Sequence, residues 1–257
     1  MDRTKINYKK VPAIEKCFNL LEILSRTDQA LGISEIARRL GYHKGTVYNM
    51  VYTLLDLGIL EQTQKNKFRL GARLYSLGRA AGNSSELIRT VHPFLEDIHR
   101  KLHLSAYLGV LVGDHVVTMD KVDSPIHLKV SSEIGLSTHI LVGAVGKIIL
   151  SKMSDEQIEE ILSRYELKPY TPYSIVDKGK FMEMIRKTRE DGYAYSNQEY
   201  IEGIRALAVP LNNYKQNLMT AIYILGLNSQ IQDKDVASYG ELLKQTARTI
   251  DERLAMS

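Results

Sequence analysis

At 257 residues, the chain is long enough to form two domains, each with its own hydrophobic core. No apolar run is long enough to span a bilayer, and the N-terminus is too polar for a signal peptide, so we expect a cytoplasmic protein with no membrane partner. The single cysteine, Cys17, excludes an internal disulfide, and its place on an apolar helix face with Ile14, Leu21 and Leu24 predicts a buried thiol.

The charges that give the overall net charge of +4 are distributed unevenly along the chain. Residues 1–82 contain 14 Lys and Arg against 7 Asp and Glu, a net charge of +7, whereas the remaining residues contain 20 against 23, a net charge of −3. Such asymmetry is typical of a domain that binds a polyanion and is attached to one that does not. The alternative is chance clustering of charges on solvated faces.

The first 11 residues are polar and basic without periodicity, which predicts a disordered arm. A first helix is predicted from Ala13 to about Arg26, with Ile14, Leu20, Leu21 and Leu24 in the core.

Residues 32–60 contain two apolar-periodic segments separated by a turn centred on Gly41. Ser34 is placed to cap the first helix, which Gly41 ends. The second helix runs from about His43 to Asp56, with one apolar stripe and an opposite face that is polar and aromatic. A helix-turn-helix is predicted, although two amphipathic helices joined by a glycine turn also occur in domains that never bind DNA.

The segment that follows predicts a short β-hairpin, with strands at Ile59 to Gln62 and Lys67 to Leu70 and a polar turn at residues 63–66. A basic hairpin directly after the second helix is the wing of a winged helix, and its cations can contact phosphates. We therefore expect the DNA-binding residues to be Ser34, Lys44, Gly45, Thr46, Tyr48, Asn49, Tyr52, Lys65, Lys67 and Arg69. Tyr48 could instead pack against the wing.

A linker helix is predicted at residues 71–83, and the Gly- and Ser-rich stretch 82–85 marks a domain boundary. Beyond it, paired apolar runs alternate with helical segments, which predicts an α+β domain with an antiparallel sheet flanked by helices. The helices are expected at residues 86–102, with a break at Pro93, then from Ser154, from Asp177 and from about Asp233; the strands are expected at 106–112, 115–122, 126–131, 193–196, 205–211 and 218–225.

Catalytic and metal motifs are missing from the sequence. Gly143 to Gly146 with Lys147 does not fit the phosphate-binding loop, because the required upstream glycine and following Ser or Thr are absent. His99 and His103 are four residues apart, as metal ligands can be, but no third ligand is evident. We expect no catalytic residue, no metal and no cofactor.

Several motifs, in order and spacing, resemble the IclR family of bacterial transcriptional regulators from about Pro12 onwards. They are SEIARRLG at 34–41, FRLG at 68–71, the Gly146-Lys147 helix and GYAYSNQEYIEGIRALAVP at 192–210. The resemblance implies a GAF-like fold in the C-terminal domain and a homodimer or tetramer to which the first helix contributes. The domains would be a basic arm at 1–11, a winged helix-turn-helix at 12–70, the linker helix at 71–83 and an effector-binding and oligomerisation domain at 84–257.

The recognition helix departs from the family pattern, in which a Ser-Thr pair is commonly followed one turn later by arginine. Here those positions hold Gly45-Thr46 and Asn49. Because asparagine pairs bidentately with adenine in the major groove, we expect a changed operator sequence.

The resemblance also implies a small-molecule effector bound between the sheet and the helix near Gly146. The corresponding positions are Leu141, Gly143, Ala144, Ser196, Ala206, Tyr223 and Leu225. Three of them, Leu141, Ala206 and Leu225, are apolar, so a short, highly charged acid would lose its hydration without compensation. We expect a larger, more apolar effector, such as an aromatic acid, with Tyr223 and Ser196 as polar contacts; the alternative is a collapsed pocket that binds nothing.

The sequence therefore predicts a ligand-responsive transcriptional regulator whose partners are a double-stranded DNA operator, a small-molecule effector and further copies of itself. Two other interpretations of the sequence are an enzyme with an accessory winged helix and a winged helix that mediates protein interaction. Repression and activation are not distinguished by the sequence.

Overall fold

The computed structural model describes residues 9–27, 29–124, 132–212 and 218–256. The chain divides into two compact units, Met1–Ser84 and Ser85–Ser257. Most of the predicted N-terminal arm and the strand predicted at 126–131 lie outside the described residues.

The N-terminal unit is a winged helix-turn-helix followed by a further helix, as predicted. Its two strands pair antiparallel, with Leu60 opposite Leu70 and Gln62 opposite Phe68. Leu31 extends this small sheet by exchanging backbone hydrogen bonds of 3.0 and 2.8 Å with Phe68, a pairing that the sequence analysis missed. The elements are α1 (Pro12–Ser25), α2 (Ile33–Leu40), α3 (Lys44–Asp56), β1 (Leu60–Gln62), β2 (Phe68–Leu70) and α4 (Ala72–Asn83).

Three local predictions in this unit are wrong. Ser34 does not cap α2: the extended Gly32 is the N-cap, because Ile33 already packs against the core and the helix starts two residues earlier than a Ser34 cap implies. Ile14 is 56% exposed, while Leu20 and Leu24 are buried. At 100° per residue, Ile14 lies about 120° around the helix from Leu20, outside the face that reaches the core. Cys17 is half-buried rather than fully buried.

The C-terminal unit contains a six-stranded sheet in which every neighbouring pair is antiparallel, in the order β5-β4-β3-β8-β7-β6. The described helices are α5 (Glu86–Leu102), α6 (Gly143–Leu150), α7 (Asp155–Arg164), α8 (Lys178–Asp191) and α9 (Asp233–Met256). The strands are β3 (Ser105–Val112), β4 (His115–Val122), β5 (Ser137–His139), β6 (Ala194–Asn197), β7 (Ile204–Leu211) and β8 (Thr220–Leu227).

Helices cover both faces of this sheet. Because side chains alternate along each strand, one strand contributes residues to the core on both faces. On β7, Leu207 and Val209 join the cluster formed with α5 and α9, whereas Ala206 and Ala208 join the cluster formed with α6, α7 and α8. The expected α+β class, with an antiparallel sheet flanked by helices, is confirmed.

The break predicted at Pro93 does not occur, and α5 runs through the proline without interruption. Leu87, Val91, Leu95 and Ile98 form a buried stripe on both sides of it. Burial of this stripe against the sheet stabilises the helix by more than the loss of one backbone hydrogen bond costs. Within the described ranges, no helix has the length and apolar character needed to cross a membrane.

Candidate DNA interface and effector cavity

The recognition helix α3 is held by one buried stripe, which leaves the opposite face in solvent. Val47, Met50, Val51 and Leu54 are buried in the core. At its N-terminus, the His43 ring nitrogen Nδ1 accepts a hydrogen bond from the Gly45 amide at 3.2 Å. The residues this arrangement exposes include four of the predicted DNA contacts: Lys44, Gly45, Tyr48 and Asn49.

The two tyrosines of α3 have different roles. Tyr52 is half-buried, with its ring edge-on to Phe68 of the wing at 6.0 Å. Tyr48 is 51% exposed, and its ring centroid lies 4.5 Å from that of Tyr52. Tyr52, not Tyr48, therefore packs against the wing, and its ring supports that of Tyr48. Thr46, another predicted DNA contact, is half-buried.

The turn of the wing is closed by its own backbone, with the Thr63 amide donating to the Lys67 carbonyl at 2.8 Å. Lys65 and Lys67 are exposed and, like Lys44, form no ion pair with any described residue. Arg69 differs, because its guanidinium donates to the Glu61 carboxylate at 3.1 and 3.2 Å. Arg69 is thus less available to a phosphate than its two neighbours.

Ser34 is exposed in the first turn of α2. Arg38, in the last turn of α2, is exposed, has no ion-pair partner among the described residues and was not among the predicted DNA contacts. In a helix-turn-helix, the first helix crosses the DNA backbone. The basic last turn of α2 was therefore a signal in the sequence that could have indicated Arg38 as a phosphate contact.

In the C-terminal unit, six of the seven predicted effector-site residues line one cavity of about 130 Å³: Gly143, Ala144, Ser196, Ala206, Tyr223 and Leu225. Leu141 does not line it. It lies in the turn before α6 and packs among the core side chains, whereas the next residue, Val142, lines the cavity.

Uncharged side chains form the described wall of this cavity. Hydroxyl groups come from Ser132, Thr138, Ser196, Tyr200 and Tyr223, and the rest of the lining is apolar or glycine. Tyr223 is 6% exposed and stacks on Tyr107, with ring centroids 4.9 Å apart. Its hydroxyl shares a 2.9 Å hydrogen bond with the Thr118 hydroxyl, and burial raises the pKa of Tyr223 to about 12. The phenol is therefore neutral at physiological pH.

The N-terminus of α6 opens onto the same cavity. Gly143 begins the helix with φ +70°, and the N-cap Val142 offers no side-chain cap. First-turn amides have no acceptor within their own helix and carry a partial positive charge. Further along, a Cβ at Gly146 would lie 2.0 Å from the Ile140 carbonyl oxygen, so glycine alone permits this close approach of α6 to the preceding turn.

One feature that the sequence analysis missed is a buried ion pair, which joins two of its motifs. Lys147 is 1% exposed, and its Nζ lies 2.7 and 2.9 Å from the two Glu199 carboxylate oxygens. Nζ also donates to the Tyr195 carbonyl at 2.5 Å. Burial lowers the pKa of Lys147, and the Glu199 carboxylate opposes that shift. The pair anchors the segment after β6, which carries the cavity residues Tyr200 and Ile201. A lysine inside the apolar run of α6 was the signal, since a buried charge requires a partner.

A winged helix with unpaired cations on its exposed face, attached to an α+β domain with a small-molecule cavity, defines a DNA-binding transcriptional regulator with an effector domain. Two family models match the chain: the IclR helix-turn-helix domain over residues 13–64 and the bacterial transcriptional regulator IclR C-terminal domain over residues 80–252. The chain belongs to the IclR family of bacterial transcriptional regulators.

Known relatives agree over nearly the full length. The HTH-type transcriptional regulator XynR of Escherichia coli is 25% identical over 245 residues, 95% of this chain and 97% of the relative. The crystal structure of an IclR-type regulator from Alicyclobacillus acidocaldarius has a TM-score of 0.82 at 26% identity and covers 96% of this chain and 100% of that one. An IclR homologue from Microbacterium hydrocarbonoxydans, solved with 4-hydroxybenzoate, has a TM-score of 0.73 at 24% identity over 95% and 100%. The named relatives are regulators, not enzymes.

Proposed function

We propose that this regulator binds its operator through α3 and the wing, and that an apolar or aromatic carboxylic acid controls it from the cavity beside α6. The observation that carries the effector assignment is the composition of the cavity: hydroxyls and apolar groups without a charged side chain among the described lining residues. Because regulation takes place on the chromosome, the cytoplasm of a bacterial cell is the proposed location.

On the DNA side, the proposal rests on exposure and charge. Lys44, Lys65 and Lys67 are exposed cations without a described ion-pair partner, suited to phosphate contacts. Asn49 is exposed one turn into α3, where a side chain enters the major groove, and the exposed Tyr48 beside it offers a ring to a thymine methyl group. Ser34 at the start of α2 is placed to contact a backbone phosphate, and Gly45 and Thr46 allow close approach of the helix to the groove. Tyr52 supports the Tyr48 ring, and Arg69 is a further exposed cation of the wing that the pairing with Glu61 makes less available to a phosphate.

In the cavity, the proposed role of the first-turn amides of α6 is to hold a carboxylate, since they carry partial positive charge and lack a cap. Ala144, Ala206 and Leu225 then offer apolar surface to a ring, and the hydroxyls of Ser196 and Tyr223 offer hydrogen bonds. A short keto acid would fill little of this surface. The complex of the Microbacterium hydrocarbonoxydans homologue with 4-hydroxybenzoate supports the same class of effector.

A thermal-shift comparison tests the effector class. A ligand that binds only the folded state at 100 times its Kd stabilises it by about 2.7 kcal/mol. We expect 4-hydroxybenzoate and benzoate to raise the melting temperature of the full chain and pyruvate and glyoxylate to leave it unchanged. Strong stabilisation by the keto acids with none by the aromatic acids would contradict the proposal.

Replacing Tyr223 with phenylalanine removes one hydroxyl and keeps the ring. We expect Y223F to lower the affinity for 4-hydroxybenzoate by roughly 3- to 10-fold, the value of one neutral hydrogen bond, as measured by isothermal titration calorimetry. The matched control is Tyr239→Phe on α9, which does not line the cavity. Equal affinities of Y223F and Y239F for 4-hydroxybenzoate would show that the Tyr223 hydroxyl does not contact the ligand.

Self-association is proposed to use the apolar side chains that α1 and α4 leave in solvent. Phe18 is 62% and Tyr75 70% exposed, and Ile14 and Leu77 are more than half exposed. Apolar residues concentrated on two helices of one small unit mark an interaction surface, and a second copy of the same chain is the usual partner. The number of copies, two or four, is left open by this surface.

The corresponding variant is Phe18→Glu, which places a charge on that surface. We expect a lower molar mass than the wild type by light scattering after size exclusion. Val112→Glu, an exposed apolar residue at the end of β3, is the control. Unchanged mass in F18E, or equal loss in both variants, would contradict this use of α1.

A further inference from the structure

A second cavity in the C-terminal unit, of about 350 Å³, is lined by four cationic side chains. It lies between the C-terminal ends of α6 and α8, the end of β7 and the middle of α9, and it shares no lining residue with the effector cavity. We call it the basic pocket. Its cations are Lys152, Arg189, Lys244 and Arg248, and no acidic side chain occurs among its described lining residues.

Two of these cations are fixed by hydrogen bonds to helix ends. Arg189 donates to the carbonyls of Ser151 at 3.1 Å and Met153 at 2.8 Å, and it pairs with Asp155 at 2.6 Å. Lys244 donates to the Asp191 carbonyl at 3.0 Å and pairs with Glu241 at 2.6 Å. Capping the carbonyl ends of α6 and α8 is a structural role sufficient to explain both.

That role does not explain the other two cations. Lys152 and Arg248 are exposed and form no ion pair with any described residue, yet they line the same concave surface. The nearby Asp251 carboxylate is engaged by the Asn212 amide at 3.0 and 3.1 Å and does not line the pocket. Four cations therefore converge in the part of the chain whose net charge is −3. Arg189 and Lys244 already have carboxylate partners, so the positive charge that lacks a described counter-ion is that of Lys152 and Arg248. An anion bound between these two side chains would relieve their mutual repulsion.

We propose that the basic pocket binds a small multivalent anion, such as a phosphorylated or polycarboxylate metabolite, at a site separate from the effector cavity. The concave shape and volume suit a small molecule, and guanidinium and ammonium groups are the preferred partners of phosphate and carboxylate oxygens. Arg189 and Lys244 supply cations in fixed positions, Lys152 and Arg248 close on the anion, and the buried Thr188 contributes a hydroxyl to the same wall. Such a site gives the regulator a second metabolic input.

Isothermal titration of the full chain with inorganic pyrophosphate and with citrate, at 150 mM KCl, tests the proposal. The pocket variant is the double substitution K152A/R248A. The control is K187A/K234A, which removes the same charge from exposed positions on α8 and α9 outside the pocket. We expect at least one of the two anions to bind the wild type and the control equally. The pocket variant should bind it at least tenfold more weakly, since it loses two charge-assisted contacts. The ratio of the two wild-type affinities tells whether phosphate or carboxylate is preferred.

Four results would overturn the proposal. Neither anion binding the wild type would remove the site. Binding that survives in K152A/R248A would place the anion elsewhere on the chain. Equal weakening in both double variants would show a general effect of net charge, and a defect of K152A/R248A in DNA binding alone would assign the cations to nucleic acid. Circular dichroism melts of both variants should coincide with the wild type, because all four side chains are exposed.

Discussion

Replacing Glu199 with alanine should lower the free energy of unfolding of the C-terminal unit by about 3–5 kcal/mol. The substitution leaves the Lys147 ammonium buried, with the Tyr195 carbonyl and the Met184 sulfur as its remaining described partners. A buried charge that loses its counter-ion has already given up its hydration, and hydrogen bonds to neutral groups compensate for only part of that cost. The measurement is urea denaturation followed by circular dichroism.

The matched control is Glu202→Ala, an exposed carboxylate three residues further on. We expect it to change stability by less than about 0.5 kcal/mol. The double variant K147M/E199L, which removes both charges and keeps apolar volume, should recover most of the stability lost in E199A. Equal denaturation midpoints for E199A and E202A would show that the pair does not stabilise the unit. Because the pair anchors the segment that carries Tyr200 and Ile201, E199A should also weaken effector binding.

Replacing Asn49 with alanine should abolish most of the preference of the protein for its operator. A bidentate contact between an amide side chain and adenine contributes about 1–3 kcal/mol of discrimination, so each recognition helix should lose roughly 5- to 150-fold in specific affinity. Binding to unrelated DNA should be almost unchanged, because phosphate contacts supply it. Competition titrations with operator and shuffled duplexes measure both quantities.

Lys65→Ala in the wing provides the contrasting variant. Its loss should weaken binding to both duplexes alike and reduce the slope of log affinity against log salt by about 1 for each subunit. If N49A also lost affinity uniformly for both duplexes, Asn49 would be a phosphate contact or a folding residue rather than one that reads bases.

The elements that the sequence predicted correctly depend on short-range patterns. The buried stripe of α3, the left-handed glycine that ends α2 and the hairpin of the wing each require only residues within one or two turns of one another. The errors come from competition between such local signals and packing. Ser34 has good capping chemistry, but Ile33 packs into the core and moves the start of α2; Pro93 is a helix breaker, but the buried stripe of α5 outweighs it.

Other features depend on contacts between distant residues. Glu199 lies 52 positions after Lys147, so neither motif alone indicates the ion pair. The strand-like pairing of Leu31 with Phe68 and the packing of Tyr52 on Phe68 are likewise set by tertiary structure. The effector-site residues were predicted through resemblance to a family. Leu141 packs in the core beside the cavity residue Val142, because a shift of one residue in a turn exchanges a cavity side chain for a core side chain. The basic pocket collects residues from four separate elements and leaves no local pattern.

Sequence-specific DNA binding is tested by fluorescence anisotropy of the purified full chain with DNA from upstream of its own gene and with a shuffled duplex, across a salt series. We predict tight binding to the upstream DNA, with an affinity that falls steeply with salt, and much weaker binding to the shuffled duplex. Absence of binding to either duplex even at low salt would show that α3 and the wing do not bind DNA.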